Sequence, residues 1–230
     1  DLAAMTSNQF QALTTAQLPA LTDYQAAAIQ TDDLALLSAT QVAAIGTSAF
    51  SALSAGVITA LNTAQVAALT SAQLRSLGTA AIVALETNDL NVLSTHQVAA
   101  LKIDQVAALD TVQLAALGNT QLTALSTAQL AAIDPASLAA LSTAQFAALT
   151  QAQIAGLTTA QVAGMETADF AALTVTQVPK LSTAAIAALT DPLITAFNTA
   201  QLQALQANQL KALQTANLAA METSDLNALS

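Results

Sequence analysis

The sequence predicts an all-α solenoid, a superhelix of 28 to 29 tandem eight-residue repeats, each forming one very short helix. Three observations support this fold class. An eight-residue repeat runs through the chain without insertion or deletion, each repeat carries two large apolar residues at i and i+3, and a polar capping signal separates the pairs. Because no linker interrupts the repeat, we expect residues 1–230 to form a single elongated octapeptide-repeat body, a fragment of a longer chain.

The apolar pair predicts the buried face. Counting each octad from its first junction residue, position 5 runs from Leu2 to Leu226 and is large and apolar in 28 of 29 octads, with Ala26 as the exception. Position 8 runs from Met5 to Leu229 and is large and apolar in all 29. Such a pair lies on one face of a helix, whereas a strand would show alternation. Position 7 is Ala in 23 of 29 octads, which predicts close packing there.

A single continuous helix does not fit the repeat. Eight residues advance about 800°, so the apolar stripe would drift by roughly 80° per octad, and a gentle supercoil cannot absorb that. The helix must therefore break at each junction. The positive drift favours a right-handed path.

The junctions, at positions 1 and 2, carry Ser, Thr, Asp or Asn in 26 of 28 octads, and these residues cap helix N-termini. Position 4 is Gln or Asp in 22 of 29 octads, which completes a capping box. The two junction sites also compensate for each other. Position 2 is expected to cap in Gln30-Thr31, Gly46-Thr47, Glu86-Thr87 and Gly118-Asn119, and position 1 in Ser38-Ala39, Asp134-Pro135 and Thr174-Val175. In Lys102-Ile103 and Gln206-Ala207 we expect the cap to slip to Asp104 and Asn208.

Proline and glycine mark individual octads. Pro135 fits the first helical position, but Pro19 and Pro179 precede the second core residue and predict a distorted or 3₁₀ helix. Three glycines fall where a helix ends, and we expect a left-handed backbone there: Gly46, Gly78 and Gly118.

Composition excludes several classes of function. Only 8% of residues are charged and the net charge is −10, so four scattered cations cannot neutralise a phosphate backbone, and nucleic-acid binding is not expected. Asp32-Asp33 is the nearest approach to a calcium loop, but no loop gathers enough oxygen ligands, and we expect no metal site. The acidic residues follow the caps, and position 4, near the positive end of the helix dipole, carries Asp33, Asp89, Asp169 and Asp225.

The chain has no cysteine, which suits an exported bacterial protein. We expect no signal peptide within the residues at Asp1, because the octad is already running there. Residues 35–74 carry no charge and the mean hydropathy of the chain is positive, so a membrane span has to be considered. The octad breaks the helix too often for a membrane span, so we expect no membrane insertion.

No residue set predicts an enzyme, and we expect no catalytic or cofactor-binding residue. His96 and Tyr24 are the only residues of their types and fall at the variable position 3, which predicts solvent exposure. A nucleophile would need an adjacent base, and none recurs. The six glycines form no phosphate-binding or dinucleotide motif. The five phenylalanines all occupy core positions: Phe10, Phe50, Phe146, Phe170 and Phe197.

The octads Ser-Thr-Ala-Gln-Phe-Ala-Ala-Leu at 142–149 and Thr-Thr-Ala-Gln-Val-Ala-Gly-Met at 158–165 resemble the low-complexity octad arrays of large secreted or surface-attached bacterial proteins, many of them adhesin-like. The resemblance covers the whole chain. It implies an extracellular, non-enzymatic role and assigns no functional residues.

The leading hypothesis is a structural spacer or stalk in a bacterial extracellular or cell-surface protein. The alternative is a superhelical scaffold that binds a peptide, a protein or a glycan. Such a face should gather unusual residues on adjacent octads, whereas the cations and His96 are dispersed, although Arg75 and Lys102 are close enough in sequence to share a patch. A minor alternative is ice binding by threonines such as Thr79, Thr87 and Thr95, which capping already explains. End-to-end self-association stays open.

Overall fold

A computed structural model describes residues 4–229, so Leu2, the first residue of the position 5 series, lies outside the described residues. In the described part, the 28 octads from Thr6 onwards form 26 α-helices and two 3₁₀ helices, and no strand is present there. This confirms the all-α repeat fold. The α-helices are α1 Ser7–Gln11, α2 Asp23–Ala26, α3 Thr31–Leu36, α4 Ala39–Ala44, α5 Thr47–Ser51, α6 Ala55–Ile58, α7 Thr63–Ala68, α8 Ser71–Ser76, α9 Thr79–Val83, α10 Thr87–Asn91, α11 Thr95–Ala100, α12 Ile103–Ala107, α13 Thr111–Ala116, α14 Asn119–Ala124, α15 Thr127–Ala131, α16 Pro135–Ala139, α17 Thr143–Ala148, α18 Gln151–Ala155, α19 Thr159–Ala163, α20 Thr167–Ala171, α21 Thr183–Ala187, α22 Asp191–Ile194, α23 Thr199–Gln203, α24 Ala207–Ala212, α25 Thr215–Ala220 and α26 Thr223–Ala228.

The two 3₁₀ helices are Leu18–Ala20 and Val178–Lys180. They lie in the two octads for which Pro19 and Pro179 predicted a distorted helix, so this prediction is confirmed. Pro135 also stands where expected, at the first residue of α16, and the Asp134 carboxylate accepts the Ala136 N–H at 2.9 Å. A missing N–H has no cost at that position because it would have no partner within the helix.

Two consecutive extended residues precede helices such as α15. Leu125 has φ −65° and ψ 138°, Ser126 has φ −67° and ψ 160°, and α15 follows. The described residues include no positive φ at all, so the expectation of left-handed glycines was wrong. Gly46, with φ −59° and ψ 145°, is instead the extended residue before α5, since the chain turns through two extended residues and needs no left-handed one.

Capping occurs at position 1 of the octad. Ser38, for example, accepts the N–H of Gln41 at 3.2 Å, as predicted. The expected compensation by position 2 is wrong, because that residue already lies inside the helix as its first residue. In the four octads concerned, the residue before the helix makes no side-chain cap: Gln30, Gly46, Glu86 and Gly118.

In the two octads whose junction has no Ser, Thr, Asp or Asn, the helices still begin at Ile103 and Ala207, so the cap does not slip. Asp104 and Asn208, to which the cap was expected to slip, still accept a backbone N–H in the first turn of their helices. Asp104 accepts the N–H of Gln105, and Asn208 accepts the N–H of Gln209, each at 3.0 Å.

The predicted core pair is buried through most of the described chain. Ala26, the one small residue at position 5, is 1% exposed, so the smaller side chain still faces the core. Leu218 and Leu226 are exceptions at 37% and 41% exposure. These two leucines belong to α25 and α26, which have no helix three octads further on in the described part of the chain to cover them.

The fold divides into two compact units, the first ending at Leu117 and the second beginning at Gly118. Within each unit, a helix packs against the helix three octads away. In the first unit α4 packs on α7 and α5 on α8, and in the second α16 packs on α19 and α21 on α24. Position 7 is small because it meets that neighbour: a Cβ added to Gly156 would lie 3.0 Å from the Cβ of Thr127, three octads earlier. The single body predicted for residues 1–230 stays a prediction.

Candidate functional site

The glutamine at position 4 is the polar residue on which the repeat depends, and Gln105 shows how it acts. Its side chain is fully buried. The Oε1 atom accepts the backbone N–H of Lys102 at 2.7 Å, which completes the local cap of α12. The Nε2 atom donates to the carbonyl oxygens of Leu74 and Leu77, both at 2.8 Å. One amide therefore satisfies the start of its own helix and the end of the helix four octads earlier, where carbonyls lack intrahelical partners.

The same arrangement recurs as a series of side chains that we name the glutamine ladder. In each, the amide nitrogen donates to the position 8 carbonyl 28 residues earlier and, with the exception of Asn217, to one or more carbonyls 30 or 31 residues earlier. In the first unit the ladder comprises Gln41, Gln65, Gln73, Gln97, Gln105 and Gln113. In the second it comprises Gln153, Gln161, Gln177, Gln201, Gln209 and Asn217.

The ladder and the helix packing together define the superhelical turn within each unit. Helices pack on the helix three octads away, and ladder amides reach the helix four octads back. A turn of the superhelix therefore contains between three and four octads. The sequence alone left this number open.

Sequence reasoning recognised the capping role of this glutamine but missed its burial and its second set of bonds. A signal for them is present. A capping box accepts either Gln or Glu at this position, yet the chain has Gln in 17 of 29 octads and Glu in none. A carboxylate can accept the cap N–H but cannot donate to the carbonyls of the preceding turn.

Aspartate replaces glutamine in two buried places. Asp169 is 4% exposed, and one of its carboxylate oxygens accepts the Thr143 hydroxyl at 2.8 Å. Asp89 is 6% exposed, and its burial raises the pKa of the carboxyl group above the usual value. The negative charge of Glu86 also raises this pKa, while a hydrogen bond from the Glu86 backbone lowers it. Among the described residues, no three His, Cys, Asp or Glu side chains come together as metal ligands, and this includes the surroundings of Asp32 and Asp33.

Threonine at position 2 lies on the surface rather than in a cap. Thr79 and Thr95 are exposed, Thr87 is half-buried, and each is the first residue of its helix. Capping therefore does not explain these threonines, and the reason given against ice binding was wrong. Ice binding itself stays a prediction.

The structure places two of the four cations on neighbouring turns. Gln105 lies three residues after Lys102 and bonds to Leu74 and Leu77, which flank Arg75. The Arg75 guanidinium also donates to the carbonyl of Ala100, at the end of α11, at 2.8 Å. Lys180 and Lys211 lie in the second unit.

The residues singled out as unique or aromatic lie where the sequence predicted. His96 is exposed, and Tyr24 is 85% exposed. All five phenylalanines are buried, and the rings of Phe170 and Phe197 meet edge to face with centroids 4.9 Å apart. Throughout residues 4–229, every buried side-chain nitrogen or oxygen has a hydrogen-bond partner. Within the same residues, no helix has the length and apolar character needed to cross a membrane.

The sequence model of the ALTTAQ repeat matches residues 50–79, 66–103, 82–119, 130–165 and 162–199. Together these matches cover residues 50–119 and 130–199, more than half of the chain. The chain belongs to the ALTTAQ repeat family. In the ALTTAQ string at residues 12–17, Leu13 is the second core residue, Thr14 and Thr15 form the junction, and Gln17 stands at the ladder position. No curated protein shows significant sequence similarity to this ALTTAQ repeat protein.

Proposed function

We propose that this ALTTAQ repeat chain is a non-enzymatic structural segment, a spacer or stalk, of a bacterial extracellular or cell-surface protein. The observation that carries the proposal is the internal use of buried polar groups. The ladder amides are the most frequent buried polar side chains, and the backbone of their own superhelix satisfies both of their ends. A fold that uses its polar groups to hold successive turns together is suited to setting a distance.

Catalysis and small-molecule binding need polar groups that converge on a ligand and await a partner. The buried aspartates are the nearest approach to such groups, but Asp169 is paired with Thr143 and Asp89 with the backbone of Glu86. Extracellular location is supported by the absence of cysteine and by the resemblance to secreted octad arrays.

The spacer proposal predicts that the number of octads matters and that their identity does not. We would build deletions of one whole octad in each unit, for example residues 70–77 and residues 182–189, and present each chain between two anchored reporter modules. The separation of the modules, measured by energy transfer, should change by the same step for both deletions. A function retained after one deletion but abolished after the other would contradict the spacer.

The second candidate is a binding scaffold for a peptide, a protein or a glycan, and the position of Arg75 and Lys102 on adjacent turns favours it. Unusual residues gathered on neighbouring repeats are what a binding face requires. The Arg75→Ala/Lys102→Ala variant should then lose attachment of the parent protein to its target, while the matched Lys180→Ala/Lys211→Ala variant keeps it. Equal attachment by both variants would remove this candidate.

A further inference from the structure

Two consecutive octads of the first unit, residues 46–53 and 54–61, stand outside the glutamine ladder. Their position 4 residues are Ala49 and Val57, both buried. Neither side chain has an amide, so neither can donate to the carbonyls of the turn before. By contrast, Gln65 and Gln73 in the next two octads donate to carbonyls in α3, in α4 and in the residues that follow these helices.

The following turn does not hold these octads either. Elsewhere in the ladder, the position 8 carbonyl accepts an amide from the residue 28 places later, as Leu69 does from Gln97 at 2.7 Å. The residues 28 places after Leu53 and Leu61 are Ala81 and Asp89. Alanine has no donor, and an ionised carboxylate only accepts. Residues 46–61 therefore lack ladder bonds to the turns on both sides.

Local structure adds to the weakness of this segment. Gly46 provides no side-chain cap for α5. The next helix, α6, has only four residues and contains Gly56, which has a low helix propensity. Its cap, Ser54 to the N–H of Val57 at 3.3 Å, is the one side-chain bond that position 1 contributes here. Packing of buried residues such as Phe50 and Ile58 holds the segment, together with one exposed bond that the Ser48 hydroxyl donates to the Asp23 carboxylate at 2.7 Å.

We infer that residues 46–61 are a built-in point of local opening, at which the first unit unfolds before the ladder-bonded turns beside it. Local opening free energies vary along a structure and are lowest where hydrogen bonds and packing are fewest. The inference does not depend on the spacer function. In a spacer under load, it places the start of extension at these two octads.

Amide hydrogen exchange at pH 7, followed by mass spectrometry, tests the inference on the whole chain. Residues 62–77 provide an internal control of equal length, because both of their octads have ladder bonds to both neighbouring turns. We expect residues 46–61 to exchange at least about tenfold faster, given that each hydrogen bond adds about 1 kcal/mol. Equal or slower exchange in residues 46–61 would overturn the inference.

Restoring the ladder should remove the difference. In the Ala81→Gln/Asp89→Gln variant, the two new amides should reach the carbonyls of Leu53 and Leu61 and slow the exchange of residues 46–61 by about tenfold. The matched control is Ala80→Gln/Asn88→Gln, which places glutamines at exposed positions one residue earlier. Slower exchange in both variants, or in neither, would contradict the ladder explanation. If the first variant loses its helical circular dichroism, the inference is tested by the exchange rates of residues 46–61 and 62–77 in the wild-type chain.

Discussion

A glutamine side chain carries one acceptor oxygen and two donor hydrogens, and the buried glutamines of this protein use both ends. At Gln73, the oxygen accepts the Thr70 N–H at 2.9 Å, and the nitrogen donates to Val42 and Ile45 at 2.9 Å each. Glutamate or alanine would each leave at least one buried backbone group without its partner. The residue chemistry therefore explains why this position so often carries an amide.

The first prediction concerns the strength of one ladder residue. Gln105→Ala removes two bonds to the previous turn and one to Lys102, and we expect a loss of about 2–4 kcal/mol in the free energy of unfolding. Gln9→Ala is the matched control, because Gln9 is exposed and, among the described residues, its side chain bonds only to Thr6; this change should cost about 1 kcal/mol or less. Chemical denaturation measures both. Equal losses would show that the long-range bonds add nothing.

The second prediction concerns pH. Because burial raises the pKa of Asp89, the folded state binds this proton more tightly than the unfolded state, whose pKa is about 3.9. The cost of folding with ionised Asp89 is therefore absent below that pH and grows as pH rises through the raised pKa. Asp89→Asn should stabilise the protein at pH 7 and leave its stability unchanged at pH 3. Asp104→Asn, at an exposed position, is the control. An Asp89→Asn effect of the same size at both pH values would contradict the assignment.

At the scale of the element, the helices are too short to form alone. Each described α-helix has four to six residues, whereas isolated helices shorter than about 12 residues are marginal in water. Caps and contacts with the next turn must therefore stabilise each helix. Sequence predicted where these helices begin because the capping signal is local, but it placed some caps one residue late. Which of positions 1 and 2 caps the helix depends on where the extended backbone ends, and position 1 is the extended residue that precedes the helix.

The third prediction adds a cap where the chain lacks one. An added Cβ at Gly78 meets nothing within 4 Å, and its φ of −73° suits any residue. Gly78→Ser should stabilise the protein by about 0.5–1 kcal/mol, through a new cap and a less flexible unfolded chain. Gly46→Ser makes the same chemical change, but its Cβ would lie 3.2 Å from the Pro19 carbonyl oxygen, so its gain should be smaller or reversed. Thermal melts of the two variants test the difference, and a larger gain at Gly46 would contradict it.

At the scale of the whole molecule, the period of eight and its core pair were sufficient to predict an all-helical repeat fold. They were not sufficient to predict the ladder, because the partner of Gln65 is Leu37, and nothing local to either residue identifies the other. That pairing follows from the number of octads in a turn, which depends on how the extended residues at every junction add together. The exposure of His96 was predicted because position 3 is variable. That Arg75 and Lys102 lie on adjacent turns could be seen only once the number of octads in a turn was known.

The central claim is that the octad is the unit of both packing and ladder bonding. Deleting residues 182–189 tests it within the second unit, because the shift by one octad preserves the ladder register. Gln201, Gln209 and Asn217 would each fall 28 places after a position 8 carbonyl again: those of Met165, Leu173 and Leu181.

Deleting Ala188 alone is the comparison, since it rotates everything downstream by about 100° and places every later glutamine out of register. Thermal unfolding followed by circular dichroism is the measurement. The eight-residue deletion should keep its helical signal and melt within about 4 °C of the parent chain. The one-residue deletion should lose helical signal and melt well below it. Equal destabilisation by the two deletions would contradict the octad as the unit of this fold.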